Sequence, residues 1–359
     1  MNKRYIHILW LCSLLQLMAC SQPDSGKATA TAAGQGPARE PAYLSEPAVA
    51  AATTPAPQPA VPVTENPDHA AMLASTDPQL AANKRIAYDM WRTLVDGRDV
   101  EASRKYIDDN YIQHNPIADT GFAGLKSYFT SLGPPQAIPD RIQRPLVAIL
   151  AERDLVAMAW VDVHERPGQP GATYTTTIFN MYRFKDGKIV EHWDHGTLPE
   201  GMAPHNYVPP VVNPEYTGAL SSNDAQLANN KRLVYDMWRT LLDAQQVDTA
   251  PKYLAPGYIQ HNPLADTGLN GFMTFFRRIA RPRPVQPAVA NFINIVAEGD
   301  KVVMATLVTY LDSKGQPYTT TWFDMWTVRD GLLAEHWDNA RLDLPQRAAG
   351  PVTKNDGPD

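Results

Sequence analysis

The chain has 359 residues, 44% of them hydrophobic and 19% charged, with a formal net charge of −6. It carries no basic cluster, which removes the electrostatic footprint of a nucleic-acid binder. Its only cysteines are Cys12 and Cys20, so a disulfide framework and a cysteine metal centre are both excluded from whatever folds downstream.

Lys3 and Arg4 precede an apolar stretch from Ile6 to Ala19. That stretch is short for a membrane span and is patterned as an export signal. Leu17-Met18-Ala19-Cys20 resembles a bacterial lipobox, which implies cleavage after residue 19 and a lipid on Cys20. Ser21 follows the cysteine where an Asp would favour inner-membrane retention, so the resemblance to Gram-negative lipoproteins points to the outer membrane, facing the periplasm. An ordinary signal peptide or an uncleaved anchor is the alternative. Residues 21–76 are rich in Ala, Pro, Thr, Gln and Gly, a composition expected to stay disordered as a tether. The expected organisation is then a signal (1–20), a tether (21–76), a first domain (77–203), a linker (204–222), a second domain (223–347) and a tail (348–359).

Two domains are expected because the chain repeats itself. YIQHNP stands at Tyr111–Pro116 and again at Tyr258–Pro263, and EHWD at Glu191–Asp194 and Glu335–Asp338. This period is far too long for a solenoid, so each copy should carry its own core. Each copy opens with an amphipathic helix, over Gln79–Leu94 and Gln226–Leu241, with Leu80, Tyr88, Trp91 and Val95 on one face. Short helices are expected over Val100–Ile107 and Val247–Leu254, and again over Phe122–Ser131 and Leu269–Ile279.

The second half of each copy reads as strands. These are Leu146–Ala151, Leu155–Val163, Tyr174–Phe184 and Ile189–Gly196, then Val289–Ala297, Val302–Tyr310, Tyr318–Val328 and Leu332–Asn339. Asp186-Gly187 and Asp330-Gly331 mark two-residue hairpin turns. Helices followed by an antiparallel sheet make an α+β pattern. A regular hairpin register places His192 and Asp194 on one face with Phe179, Met181, Arg183 and Val190, and Glu191 and Trp193 on the other with Ile178, Asn180 and Tyr182. The same register groups His336 and Asp338 with Phe323 and Met325. One bulged residue would reverse these faces.

An aspartate on an apolar face suits proton abstraction beside a carbonyl, because desolvation raises its pKa toward neutrality. A neighbouring imidazole or amide can then steady the developing oxyanion. Asp194 with His192, and Asp338 with His336, are the candidate acid–base pairs. His114 and Asn115, and His261 and Asn262, are expected to close the same cavities from the helical side. Plain structural readings stand beside these: Asp194 could simply end a strand, and His-Asn-Pro is a natural turn. No HExxH-like spacing supports a metal.

The order helix, YIQHNP, helix, strands, DGKIVEHWD resembles the SnoaL-like polyketide cyclase family, in particular its predicted aldol-condensation branch. The resemblance covers roughly 78–196 and 225–340. It implies the cone-shaped α+β fold shared with nuclear transport factor 2, scytalone dehydratase and ketosteroid isomerase, with three helices on a curved antiparallel sheet around an apolar pocket. It further implies an Asp near the end of the last strand acting as acid–base without a cofactor, which falls on Asp194 and Asp338. A His on the second long strand would be His164, where the second copy has Tyr310. The third strand carries Asp324 in the second copy but Asn180 in the first. The functions implied are a cyclase, isomerase or dehydratase acting on a small apolar carbonyl compound. The alternative is a non-catalytic binding or scaffold module at the cell envelope. Domains of this fold commonly pair through their sheets. An internal pseudo-dimer in a monomeric chain is therefore expected, with Trp193 and Trp337 at its interface.

Overall fold

The computed structural model describes residues 58–344. The expected export signal, Cys20, most of the expected tether and the tail lie outside the described residues. Among the described residues, no helix is long and apolar enough to cross a membrane.

In the first repeat a short helix α1 (His69–Leu73) leads to α2 (Pro78–Met90). Asp77 caps α2 by accepting the N–H groups of Gln79 and Leu80, with Pro78 in the first turn, where a missing N–H has no consequence. The helix then widens into a π-helical turn at Trp91–Asp96, which buries Trp91 and Leu94. After α3 (Val100–Ser103) come β1 (Ile107–Gln113), α4 (Gly121–Ser131), β2 (Leu146–Glu152), β3 (Leu155–Glu165), β4 (Thr173–Lys185) and β5 (Lys188–Asp194). The second repeat follows the same plan: α5 (Tyr216–Leu220), α6 (Ala225–Met237) with a π turn at Trp238–Asp243, a 3-10 turn at Val247–Lys252, β6 (Leu254–Gln260), α7 (Leu269–Arg277), β7 (Phe292–Glu298), β8 (Lys301–Leu311), β9 (Pro317–Arg329) and β10 (Leu332–Asp338).

Each repeat is thus an α+β unit with one five-stranded sheet, in the orders β1-β5-β4-β3-β2 and β6-β10-β9-β8-β7. The four expected strands of each copy pair antiparallel. The fifth strand was not expected. β1 and β6 begin at the last residue of the expected second helices, in stretches given no element, and lie parallel to the last strand. Pro251 inside the 3-10 turn stops helix growth in the second copy.

The hairpin register also departs from expectation, in both copies. Asp186 and Gly187 do form the two-residue turn, both at positive φ (51° and 75°), and Lys185 faces Lys188. Two residues further on, Val190 bulges out of the ladder: Phe184 pairs with Ile189, but Arg183 pairs with Glu191. From there every residue of β5 faces the opposite way. His192 pairs with Tyr182, Asp194 with Asn180 and Trp193 with Met181. Ala334 does the same in β10, so that His336 pairs with Trp326 and Asp338 with Asp324.

The faces therefore separate by use. One face of each sheet carries His192 and Asp194, or His336 and Asp338, and packs against the helices through its own core. The other faces of the two sheets meet in a single apolar seam holding Phe179, Met181 and Trp193 with Phe323, Met325 and Trp337. Phe179 and Phe323 stack with ring centroids 5.8 Å apart. At the rim of the seam, Lys231 of α6 donates to Glu152 of β2 at 2.6 Å, and Lys84 of α2 to Glu298 of β7 at 2.6 Å. Each carboxylate also accepts a backbone N–H from the opposite repeat, Ala297 for Glu152 and Ala151 for Glu298.

Residues 58–66 are not a tether. They run from the second repeat to the first: Gln58 bridges to Thr267 and Val61 N–H donates to the Gln260 carbonyl, then Val63 N–H donates to Thr175 Oγ1 and Asn66 N–H to the Leu146 carbonyl. The linker runs the opposite way, with Val208 N–H on the Gln113 carbonyl of the first repeat and Asn213 N–H on the Phe292 carbonyl of the second. Composition misled here because Pro59 and Pro62 suit an extended strap that needs few partners for its backbone. Val63 supplies the buried contact.

Lys231 is fully buried and Glu152 nearly so. Truncating one partner leaves the other charge uncompensated. Lys231→Ala is expected to cost about 3–5 kcal/mol, read as a fall in the urea midpoint. Lys84→Ala should cost less, because Glu298 is 26% exposed.

Candidate functional site

The strings repeated in sequence meet in space. β1 carries YIQ to the edge of β5, and the chain then turns at His114-Asn115-Pro116. Asn115 Oδ1 accepts the N–H of Ile117, an Asx turn that fixes the amide orientation, so Nδ2 faces Asp194 and donates to Oδ2 at 2.8 Å. Gly196 leaves room for Asn115 on this backbone, where an added Cβ would collide with Asn115 Oδ1 and Cγ.

A cavity of about 230 Å³ lies between α2, its π turn, α4 and the sheet. Its apolar walls include Trp91, Leu94, Leu125, Phe129 and Ile178. Its polar lining includes Tyr111, Gln113, Asn115, Tyr128, Asn180, Tyr182, His192 and Asp194. Asp194 Oδ1 is buried with no hydrogen-bond partner. Burial pushes the Asp194 carboxyl up to about 7, against the lowering pull of the Asn115 amide and His114.

His192 is held as a neutral ring. Its Nδ1 lies 3.0 Å from Gln113 Oε1, and that oxygen also accepts the Asn115 N–H, which identifies it as the acceptor. Nδ1 therefore carries a proton toward Gln113, and Nε2 lies 2.7 Å from Asn180 Oδ1, an oxygen that also accepts the Tyr182 hydroxyl at 3.3 Å. The ring is stacked between Tyr111 and Tyr182. Burial, with His114 adding to it, drops the imidazole to about 3.

The second repeat repeats the frame with different chemistry. Asn262 donates to Asp338 Oδ2 at 2.6 Å, and His336 Nδ1 faces Gln260 Oε1 at 2.8 Å. His336 Nε2 now meets Asp324 Oδ1 at 2.8 Å, a carboxylate oxygen where the first repeat has an amide oxygen, so one proton lies between the ring and an acid. Asp338 Oδ1 is also occupied, accepting the Ala340 N–H at 3.0 Å. Burial, together with Asp324, raises the Asp338 carboxyl to about 6 and burial lowers His336 to about 4. One ligand atom from each of Asp324, His336 and Asp338 falls within 4.8 Å of the others, a donor set able to hold a divalent cation where the sequence reading expects none.

Not every expected site residue reaches a cavity. His114 lies behind the sheet, stacked on Trp193 and bonded to the Val208 carbonyl and Glu191. His261 does the same with Trp337, the Val61 carbonyl and Glu335. Both hold the straps, not a substrate. His164 pairs with Asp162 at 2.8 Å and stacks on Tyr174, away from the cavity lining. Sequence reasoning missed Gln113, Tyr128 and Tyr182. Gln113 was findable, since it stands inside the repeated string.

Residues 85–198 match the family model described as SnoaL-like polyketide cyclase, and residues 235–336 match one described as SnoaL-like domain. Similar solved structures include a proposed polyketide cyclase from Acidithiobacillus ferrooxidans (22% identity over 34% of this chain and 90% of that one, TM-score 0.24). IdmH of Streptomyces antibioticus is 22% identical over 32% of this chain and 90% of that one, with a TM-score of 0.23. TsrD of Streptomyces laurentii is 21% identical over 33% and 90%, with a TM-score of 0.24. No curated protein matches the chain.

Two outcomes follow for the first site. Gly196→Ala is expected to force the turn or Asn115 to shift at a cost of about 1–3 kcal/mol, seen in thermal unfolding; the second copy accommodates Ala340 beside the same Asn–Asp pair with its N–H turned onto Asp338 Oδ1. The raised Asp194 carboxyl means that the folded chain keeps a proton that the unfolded chain releases from about pH 4. This group therefore erodes stability as pH climbs from about 4 through about 7. Asp194→Asn should accordingly raise Tm at pH 8 and leave it unchanged at pH 4.

Proposed function

The chain belongs to the SnoaL-like family, with two tandem copies, and from that premise we propose that its first repeat binds a small apolar carbonyl compound and moves a proton at its α-carbon without a cofactor. The observation that carries this reading is Asp194: one carboxylate oxygen stands without a partner in an apolar cavity, and the carboxyl is poised at about 7. A base matched to neutral pH gains most from general catalysis. Asn115 holds the other oxygen and sets the carboxylate plane. The neutral His192 keeps a positive charge out of the site, so the Asp194 carboxylate is not neutralised by a neighbouring cation. The Tyr128 hydroxyl, on the opposite wall, is the available donor to a developing enolate oxygen. The reaction class is an aldol cyclisation, isomerisation or dehydration.

The second repeat supports the alternative, a binding or scaffold role. Both oxygens of Asp338 are engaged, and His336 is tied to Asp324. We further propose, from the charged start, the apolar stretch and the lipobox-like Leu17–Cys20, an exported protein anchored by lipid on Cys20 and facing the periplasm. Its pairing partner would be internal, and the chain a monomer.

Solvent deuterium exchange at the α-carbon of small aryl ketones, followed by NMR, tests the catalytic reading. The rate should rise as pH passes about 7 and fall about 10²–10⁴-fold in Asp194→Asn, with Asp338→Asn close to wild type. Tight ligand binding with no exchange would instead assign a binding module.

A further inference from the structure

The two copies of the EHWD turn differ in where one backbone N–H goes. In the second repeat the Ala340 N–H folds back onto Asp338 Oδ1, the usual Asx turn of an aspartate with the residue two places on. In the first repeat the equivalent donor is the Gly196 N–H, and it does not reach Asp194. It donates at 3.1 Å to Thr320 Oγ1, which lies on β9 of the second repeat. The same hydroxyl donates at 3.2 Å to the Asp194 carbonyl. One hydroxyl thus clamps both ends of the turn, using its one donor and one of its acceptor positions. The mirror residue, Thr176, donates to the Asp338 carbonyl at 3.1 Å but takes no N–H from Ala340.

We propose that Thr320 is a positioning residue for the first site: by holding the Gly196 N–H across the seam, it keeps Asp194 Oδ1 free for substrate. The working site is therefore completed by the opposite repeat, and the second repeat serves as its scaffold. This rests on the reading of Asp194 as the base, but its test does not depend on turnover. An N–H on a carboxylate oxygen stabilises the anion, so withholding one keeps the carboxyl basic. The titratable groups facing Asp194 are Tyr111 of β1, Tyr128 of α4, Tyr182 of β4 and His192 of β5, with His114 acting on it from behind the sheet. None of them changes when Thr320 is replaced.

The test is a 13C NMR titration of the full chain labelled at aspartate carboxyls, with the Asp194 signal identified by its loss in Asp194→Asn. Thr320→Val is expected to free the Gly196 N–H onto Asp194 and lower its midpoint from about 7 toward the ordinary aspartate value near about 4. Thr320→Ser should keep the wild-type midpoint, and so should Thr176→Val. An unchanged Asp194 midpoint in folded Thr320→Val, or an equal fall in Thr176→Val, overturns the proposal. Thr320→Ala carries the same test if the valine variant does not fold. Failure here leaves the base reading standing, because that reading fails separately, through retained deuterium exchange in Asp194→Asn.

Discussion

A single extra residue in the last strand of each repeat organises the whole molecule. Without the bulge at Val190, the strict alternation of β5 would send His192 and Asp194 into the seam between the sheets and Trp193 into the cavity. With it, two polar groups face an enclosed space and an indole faces its counterpart seam. The same device at Ala334 acts on β10. Bulges commonly re-aim side chains beside functional sites. Here one bulge serves the cavity and the seam together, because the residues on either side of Trp193 line the cavity while its indole enters the seam.

What the sequence disclosed follows from what it repeated. The strings YIQHNP and EHWD located both sites, since duplicated polar residues stood out from diverged surroundings, and the Asp-Gly pairs located both hairpins. The bulge stayed hidden because Val190 and Ala334 are apolar and fit either face. β1 stayed hidden because Ile107–Gln113 reads as a mostly polar run, and Leu254–Gln260 holds Pro256 and Gly257. These are features of an edge strand, whose propensity is weak and whose pairing is decided by the partner. His114 and Asn115 are adjacent in an extended turn, so they necessarily point apart, and spacing alone does not say which of them faces inward.

The internal duplication also provides its own control. Both repeats keep the Gln, the Asn, the His and the Asp in near-identical geometry, yet a single exchange of Asn180 for Asp324 alters the proton inventory behind the imidazole. In the first copy the imidazole is neutral and its acidic neighbour has a bare oxygen. In the second an imidazole and two carboxylates crowd one buried volume, where each added charge must be balanced. The backbone frame is shared, and the electrostatics are not.

The crossed course of the straps bears on how such a chain can arise and persist. Residues 58–61 precede one repeat but lie on the other, and residues 205–208 return the exchange. Two identical ancestors that traded N-terminal arms and were later spliced end to end would leave this braid. Once spliced, neither half is dispensable, for each wears a piece of its sibling's chain. Selection can therefore release one half from chemistry while still obliging it to fold.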